Sequence, residues 1–452
     1  MHKANRSDHE FSLGAAHIEP YLSETGRIQP SGGPDFLMSQ ISAVARSVGW
    51  RTPAVIILCG CLISLLGFGP RSSFGFFLTP MSQANGWGRD VFALAFAIQN
   101  LLWGIGQPFA GAVADRFGMV RVLTVGALLY AAGLALMAYT TSPIALQTTA
   151  GVLVGFGLSG CSFNLVIAAF GKLLPERYRM LAIGAGTAAG SFGQFLFAPF
   201  GVALIGGLGW QHALLVFSGM LLLIIPMAMA LATPPSAPKP AGAVDTADSQ
   251  SLMGALAEAF GHRSYVFLVL GFFTCGFQLA FITLHLPSYL IDRGLSATIG
   301  GWTLATIGLF NIIGSISVGW LATLYPRRYL LALNYFLRAV FIAAFVLLPA
   351  SPVTTLLFGA GMGLLWLSTV PPTSGLVSLM FGTRWLATLY GFAFFSHQVG
   401  GFLGAFLGGV LYERTGSYDV VWWLAVLFGL LSAVLNLPIV EKPVLRAAPA
   451  AA

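Results

Sequence analysis

The sequence predicts an all-α membrane protein, twelve transmembrane helices arranged as two six-helix halves. Three observations carry that prediction. Of 452 residues, 57% are hydrophobic and 8% charged, and the mean hydropathy is +0.83. An ordinary soluble domain carries roughly 25% charged residues, so 22 basic and 15 acidic side chains cannot clothe a water-facing surface. The apolar runs are long and continuous, near the roughly 20 residues a helix needs to cross a bilayer, whereas a porin-like barrel alternates in segments of about ten. A polar, proline-bearing break then divides the runs into two sets of six.

In chain order, residues 1–50 are polar, with Pro, Gly and scattered charge, and lack the basic start and apolar core of a signal peptide. They read as a disordered cytoplasmic tail. The first half occupies 51–232, with spans near 54–77, 91–113, 120–139, 144–173, 182–208 and 213–231, divided by Pro, Gly and charge. Residues 233–262 include Pro234, Pro235, Pro238 and Pro240 and the polar run Asp245–Gln250. They read as a cytoplasmic linker carrying a short interfacial helix near 252–260. The second half, 263–441, holds spans near 265–291, 300–324, 329–348, 353–381, 387–411 and 420–440, and 442–452 form a C-terminal tail. The four cysteines, Cys59, Cys61, Cys161 and Cys275, all fall inside apolar runs without a neighbouring ligand and read as packing residues.

Orientation follows from Lys and Arg, which short cytoplasmic loops retain. With both termini inside, seventeen fall on the cytoplasmic side and three, Arg89, Arg293 and Arg414, on the other. The net charge of +7 is therefore a topology signal and an attraction to anionic headgroups. No aromatic-interleaved basic patch suggests nucleic acid. The expected setting is the cell (inner) membrane, as a multi-pass protein.

The loop between spans 2 and 3 reads Gly111-Ala-Val-Ala-Asp115-Arg116-Phe-Gly118-Met-Val-Arg121. It resembles the cytoplasmic loop motif of the major facilitator superfamily. Its small residues allow close helix approach, and its carboxylate can dock on the positive N-terminus of a neighbouring helix in one conformation. The resemblance implies a conformational latch of Gly111, Asp115, Arg116, Gly118 and Arg121, with Asp115 facing the start of span 11 near Trp385 in the outward-open state. The second half keeps Gly319 and the pair Arg327-Arg328, but Thr323 stands where the acid would be. Gly67-Phe-Gly-Pro70-Arg71-Ser72 in span 1 resembles the Pro-Lys-Ser helix of monocarboxylate transporters, with Arg71 in place of Lys. Arg179–Gly184 with Ala189-Gly190-Ser191, and Ser396–Gly401 through Tyr418, are similar to bacterial relatives of monocarboxylate and oxalate/formate carriers. One departure stands: where those carriers place an Asp and an Arg on span 8, this chain has Asn311 and Ser315.

All fifteen acids fall in tails, loops or helix ends, and the ionisable groups at membrane depth are Arg71, Arg338, His285 and His397. A charge at the bilayer centre costs about 2.5–3.5 kcal/mol on insertion scales. A buried cation without a carboxylate partner points to a partner that arrives as substrate, hence an organic anion. Arg71, beside Pro70, is the first candidate, since a planar guanidinium grips a carboxylate through two hydrogen bonds; the competing placement is outward, to the headgroups. Arg338, on a span that is scaffold in the superfamily, reads as structural. His397 is the candidate proton carrier, because imidazole ordinarily titrates near neutrality; a helix-packing His is the other reading. Asn311, Gln398 and His285 are the further candidate substrate contacts.

The function implied is a secondary transporter of a small organic anion, a monocarboxylate moved with a proton, working as a monomer without cofactor or metal. Anion exchange and proton-coupled efflux remain open beside it. No His-Glu-x-x-His, paired membrane carboxylates or nucleotide-binding loop supports an intramembrane enzyme or an ATP-driven pump.

The seventeen-to-three charge distribution predicts that single cysteines placed in 233–262, in a cysteine-free background, react with an impermeant maleimide only from the cytoplasmic side. Labelling from outside intact cells would invert or break the twelve-span topology.

Overall fold

The computed structural model describes residues 50–233, 251–382 and 385–444. Residues 1–49 of the tail expected at 1–50, the centre of the linker at 234–250, residues 383–384 and the last residues from 445 lie outside them. Twelve helices among the described residues are long and apolar enough to cross a membrane. Spans 1 to 6 are Pro53–Ser72, Arg89–Phe117, Met119–Met137, Pro143–Leu173, Glu176–Leu208 and Trp210–Leu231. Spans 7 to 12 are Arg263–Asp292, Ala297–Leu324, Arg327–Leu347, Pro352–Phe381, Leu386–Thr415 and Asp419–Asn436. The short helix expected before span 7 is present as Leu252–Gly261, its first turn capped by the Ser251 hydroxyl, which accepts from Gly254 N–H. Proline and hydroxyl caps set other starts in the same way. Pro53 follows the N-cap Thr52, and Ser351 and Thr354 form a reciprocal capping box ahead of span 10.

The largest departures from the expected boundaries are at spans 1 and 5. Span 5 begins at Glu176, directly after Pro175, so its helix runs past the apolar segment that hydropathy detects. Span 1 ends as a helix at Ser72 and resumes as Gly75–Asn85. Spans 4 and 10 are also interrupted. Span 4 divides into Val154–Gly160 and Phe163–Leu173 after a π-helical turn at Gln147–Leu153, and span 10 divides into Pro352–Leu365 and Val370–Phe381. These breaks fall in corresponding members of the two sets of six, and near mid-depth.

Packing repeats between the sets. Span 1 lies on 5, 2 on 4 and 3 on 6; span 7 lies on 11, 8 on 10 and 9 on 12. The sets meet through span 2 on 11 and span 5 on 8, with the outer piece of span 1 against span 7. Those meetings are tight only over part of their length. We call the end of the bundle holding Arg89 and Asp292 outer, after the charge argument. Toward it, a Cβ on Gly409 of span 11 would come within 2.4 Å of Ala93, and one on Gly75 within 2.5 Å of the Thr283 carbonyl. At the waist, Gly308 of span 8 lies against the Ser191 carbonyl and Gly104 of span 2 against Gln398. Toward the inner end, Gly111, Gly184, Gly190, Gly319 and Gly391 on the same four spans have nothing within 4 Å. The bundle is thus closed at the outer end and splayed at the inner end.

The outer closure is electrostatic as well as steric. Arg89 reaches Asp292 through two parallel hydrogen bonds of 2.7 and 2.8 Å, donates to the Tyr418 hydroxyl at 2.9 Å, and lies 4.0 Å from the Tyr412 ring centroid. Its backbone N–H donates to Glu413 at 2.7 Å, and Thr79 meets Ser288 at 3.1 Å. A bidentate, partly buried pair of this kind is stronger than an open surface ion pair. Arg89→Gln should therefore loosen the outer end. The expected result is that a cysteine at Ser288, in a cysteine-free background, reacts several-fold faster with an external impermeant maleimide; an unchanged rate would show that steric packing alone holds the closure.

Candidate substrate site

The interruption of span 1 places the first candidate. Pro70 has no N–H to donate to the preceding turn, and the chain re-forms through three-residue bonds, Ser73 N–H to the Pro70 carbonyl and Phe74 N–H to that of Arg71. Ser73 Oγ ties the break to span 5 by donating to the Phe197 carbonyl at 2.6 Å. Arg71 is 7% exposed, so it does not run outward to headgroups. Its Nη2 donates to Asn100 Oδ1 at 2.6 Å, and its guanidinium carbon lies 4.9 Å from the Phe96 ring and 5.1 Å from that of Trp103. Asn100 is oriented for this by its own amide, which donates to the Phe96 carbonyl at 2.8 Å. Arg71 Nε is buried and has no partner, and among the described residues no carboxylate is paired with this cation.

Gln398 faces the same stretch of span 2, and His397 beside it turns toward span 7. The Gln398 side chain packs on Gly104, where an added Cβ would approach its Cβ to 2.8 Å. Its Oε1 meets His397 Nδ1 at 3.1 Å, and its Nε2 is a second buried donor without a partner. The half-buried His397 ring is stacked on Phe394 at 5.8 Å and 7° and lies 5.1 Å from Phe272. Arg71, Asn100, Trp103, Gln398 and His397 therefore form one polar waist between spans 1, 2 and 11.

The other candidates sit elsewhere. Asn311 is 1% exposed and bonded through both its polar atoms: its amide donates to Ser191 Oγ at 2.9 Å, and its oxygen accepts from Leu367 N–H and Ser315 Oγ. That geometry braces spans 5 and 8 against the break of span 10. His285 is sealed beneath the outer closure, its Nε2 2.8 Å from the Ala405 carbonyl and its Nδ1 3.3 Å from the Tyr418 hydroxyl. A carbonyl only accepts, so the proton resides on Nε2 and Nδ1 accepts from Tyr418. Arg338, read as structural, is 0% exposed and caps the break of span 10. It donates to the Leu365 carbonyl through Nε at 3.1 Å, to the Trp366 carbonyl through Nη2, and to Gln278 through Nη1 at 3.4 Å.

In the latch loop, Asp115 pairs with Lys172 of span 4 at 2.5 Å, within its own six spans, while Gly111 faces open space. Arg116 lies over the Phe117 ring, and Arg121 is exposed. Gly118 turns the chain at φ 91°, a backbone that side chains rarely adopt, so that Met119 N–H reaches Thr233 Oγ1 at the end of span 6. The expected approach of Asp115 to span 11 belongs to the outward-open state, and this inner end is splayed.

Residues 57–405 match the family model of the Major Facilitator Superfamily. The chain belongs to that superfamily. It is 29% identical over 383 residues to an uncharacterized MFS-type transporter, YcxA, of Bacillus subtilis, covering 82% of this chain and 91% of that protein. It is 25% identical over 391 residues to monocarboxylate transporter 13 of Rattus norvegicus, covering 84% and 86%. Among solved structures, a bacterial homolog of the human lysosomal transporter Spinster, in an inward-facing and unoccupied conformation, superposes with a TM-score of 0.67 at 16% identity over 86% of this chain and 98% of that one. This superfamily member is accordingly a multi-pass membrane transporter, and the pairing of spans 2 with 11 and 5 with 8 is how its two sets of helices meet.

Two groups were not legible as site residues in the sequence. Arg89, Asp292, Glu413 and Tyr418 looked like separate loop charges and a loop tyrosine; their common position at outer helix ends was the available signal. Trp103 was one aromatic among many, and only the fold sets it beside Arg71.

Arg338→Met removes the donors that serve the Leu365 and Trp366 carbonyls, and each buried polar group left unpaired costs about 1–3 kcal/mol. In detergent, the midpoint of thermal unfolding should fall by several degrees, with Arg338→Lys intermediate. An unchanged midpoint would show that the span 10 break holds without its cap.

Proposed function

We propose that this superfamily member carries a small organic anion, a monocarboxylate, by alternating access and together with a proton. It works as a monomer in the cell membrane, with both termini and the 233–262 linker in the cytoplasm. The observation that carries this reading is Arg71, a buried cation at the broken first span with an unpartnered Nε and no paired carboxylate among the described residues. A buried charge without a partner is strongly unfavourable, and a substrate carboxylate supplies the partner. The name of the rat relative, monocarboxylate transporter 13, supports the same class.

His397 is the proposed proton carrier. It shares a hydrogen bond with Gln398, which abuts the same span 2 surface as Arg71, and its ring is half-buried. Protonation there would add positive charge to the waist as the anion arrives. Anion exchange is the second reading, favoured by the same lack of a paired carboxylate at Arg71, since a counter-anion resets a cationic waist as a proton does.

The test is uptake of labelled monocarboxylates into proteoliposomes with and without an imposed pH gradient. Truncating one partner of a buried charge-assisted pair costs about 2–5 kcal/mol, so Arg71→Gln should weaken carboxylate binding at least about thirtyfold, with Arg71→Lys between the two. His397→Gln should abolish gradient-driven accumulation and leave downhill exchange. Normal carboxylate transport by Arg71→Gln would overturn the anion assignment; wild-type accumulation by His397→Gln would place the proton elsewhere.

A further inference from the structure

Two rings, Phe96 and Trp103, lie near the Arg71 guanidinium, and they differ in what lies behind them. On one side Phe96 packs edge-on against Phe74 at 6.2 Å, and both rings are 1% exposed, so that direction is closed. On the other side Trp103 begins a run of rings that crosses from span 2 to span 11. Trp103 meets Phe394 at 5.7 Å, Phe394 stacks on His397 at 5.8 Å, His397 lies 5.1 Å from Phe272, and Phe272 lies 6.1 Å from Tyr390. Phe394, His397 and Tyr390 are only half-buried, so the run keeps uncovered ring surface, and Tyr390 and Phe394 lie on the inner side of Gln398 along span 11. Gln398 Nε2, a buried donor without a partner, lies beside the same run.

We infer that the substrate is an aromatic monocarboxylate, its carboxylate on Arg71 and its ring along the run that starts at Trp103. This deepens the anion reading of the same site and rests on it. The guanidinium is held by Asn100 through Nη2, which leaves the Nε side for a carboxylate. Phe96 and Phe74 close one flank of the guanidinium, and the group attached to that carboxylate would lie on the other, toward Trp103 and Phe394. Rings pair with rings edge-to-face or offset at centroid distances of 4.5–7 Å, the range in which the run's own members already stand. A two- or three-carbon acid would satisfy Arg71 and leave those faces uncovered. A bulky saturated acid would cover them without the edge-to-face match.

The test is competition between radiolabelled phenylacetate and unlabelled acids for the full-length wild type in proteoliposomes, with propionate as the small acid, cyclohexylacetate as the saturated acid of equal bulk, and phenylacetamide as the uncharged ring. Phenylacetate should compete at concentrations about tenfold lower than either other acid. That preference should shrink severalfold in Trp103→Leu and Phe394→Leu. If propionate or cyclohexylacetate competes as well as phenylacetate, or if neither replacement alters the preference, the aromatic assignment is overturned and the anion reading stands. If phenylacetamide equals phenylacetate, or no acid binds, the anion reading itself falls and takes this inference with it.

Discussion

In a bilayer there is no water to complete an unpaired backbone group, so an irregular stretch of chain persists only where protein or a water-lined cavity satisfies it. Each of the interrupted spans answers that constraint differently. Span 10 is completed by side chains from its neighbours: Arg338 serves the Leu365 and Trp366 carbonyls, and Asn311 serves Leu367 N–H. Span 4 closes its own turns, Cys161 N–H on the Gly157 carbonyl and Leu165 N–H on that of Ser162, with Gln107 of span 2 donating to Ser162 Oγ. Span 1 is completed for its backbone by short-range bonds, yet the side chain beside the break, Arg71, keeps a buried donor unpaired. Broken spans near the midplane are where carriers of this kind place their ligands. Among the three, the first leaves a full charge with an unpartnered donor.

The twelve spans and the two-fold organisation were legible because hydropathy, proline and charge act locally and additively along a helix that must face lipid. The linker helix and the latch turn were legible for the same reason: Ser251 and Gly118 act on their own backbones. Depth was legible for Arg71 and Arg338, since a count along the helix gives it. Direction was not. Arg71 and Arg338 are both mid-span arginines in apolar sequence, and only the fold shows one donating to carbonyls of a broken neighbour and the other sandwiched between rings. Asn311 and Gln398 illustrate the same limit. Both are buried amides near the waist, but one is bonded through both its nitrogen and its oxygen and the other leaves its nitrogen without a partner.

Closure at one end and splaying at the other have a single geometric origin. Spans 2 and 11, and 5 and 8, carry glycines along most of their length, so each pair can approach closely at either end, but two rigid sets of helices touching at the waist cannot close both ends at once. In this structure Gly409 and Gly301 toward the outer end are spent on contact between the sets, while Gly111, Gly184, Gly319 and Gly391 toward the inner end face open space. The ion pairs follow. Arg89 is engaged across the two sets with Asp292 and Glu413, while Asp115, at the opposite end of span 2, is engaged with Lys172 of its own set. A single helix thus carries the cross-set contact of this state at its outer end and the residue expected to make the contact of the other state at its inner end, 26 residues away along a stiff rod of about 1.5 Å per residue.

That lever also separates the two histidines. His285 hangs from the outer closure: Tyr418 donates to its Nδ1 and in turn accepts from Arg89, so protonating Nδ1 would reverse a hydrogen bond in the chain that holds the outer end shut. Its ring is sealed, with Gly408 pressed against it and the Ala405 carbonyl fixing its other nitrogen. His397 has the opposite setting, half-buried and stacked on Phe394, with Nδ1 on Gln398 and a side-chain hydrogen bond to Cys275. A group that must take and release a proton in each cycle needs access in at least one state, and in this one His397 has it while His285 does not.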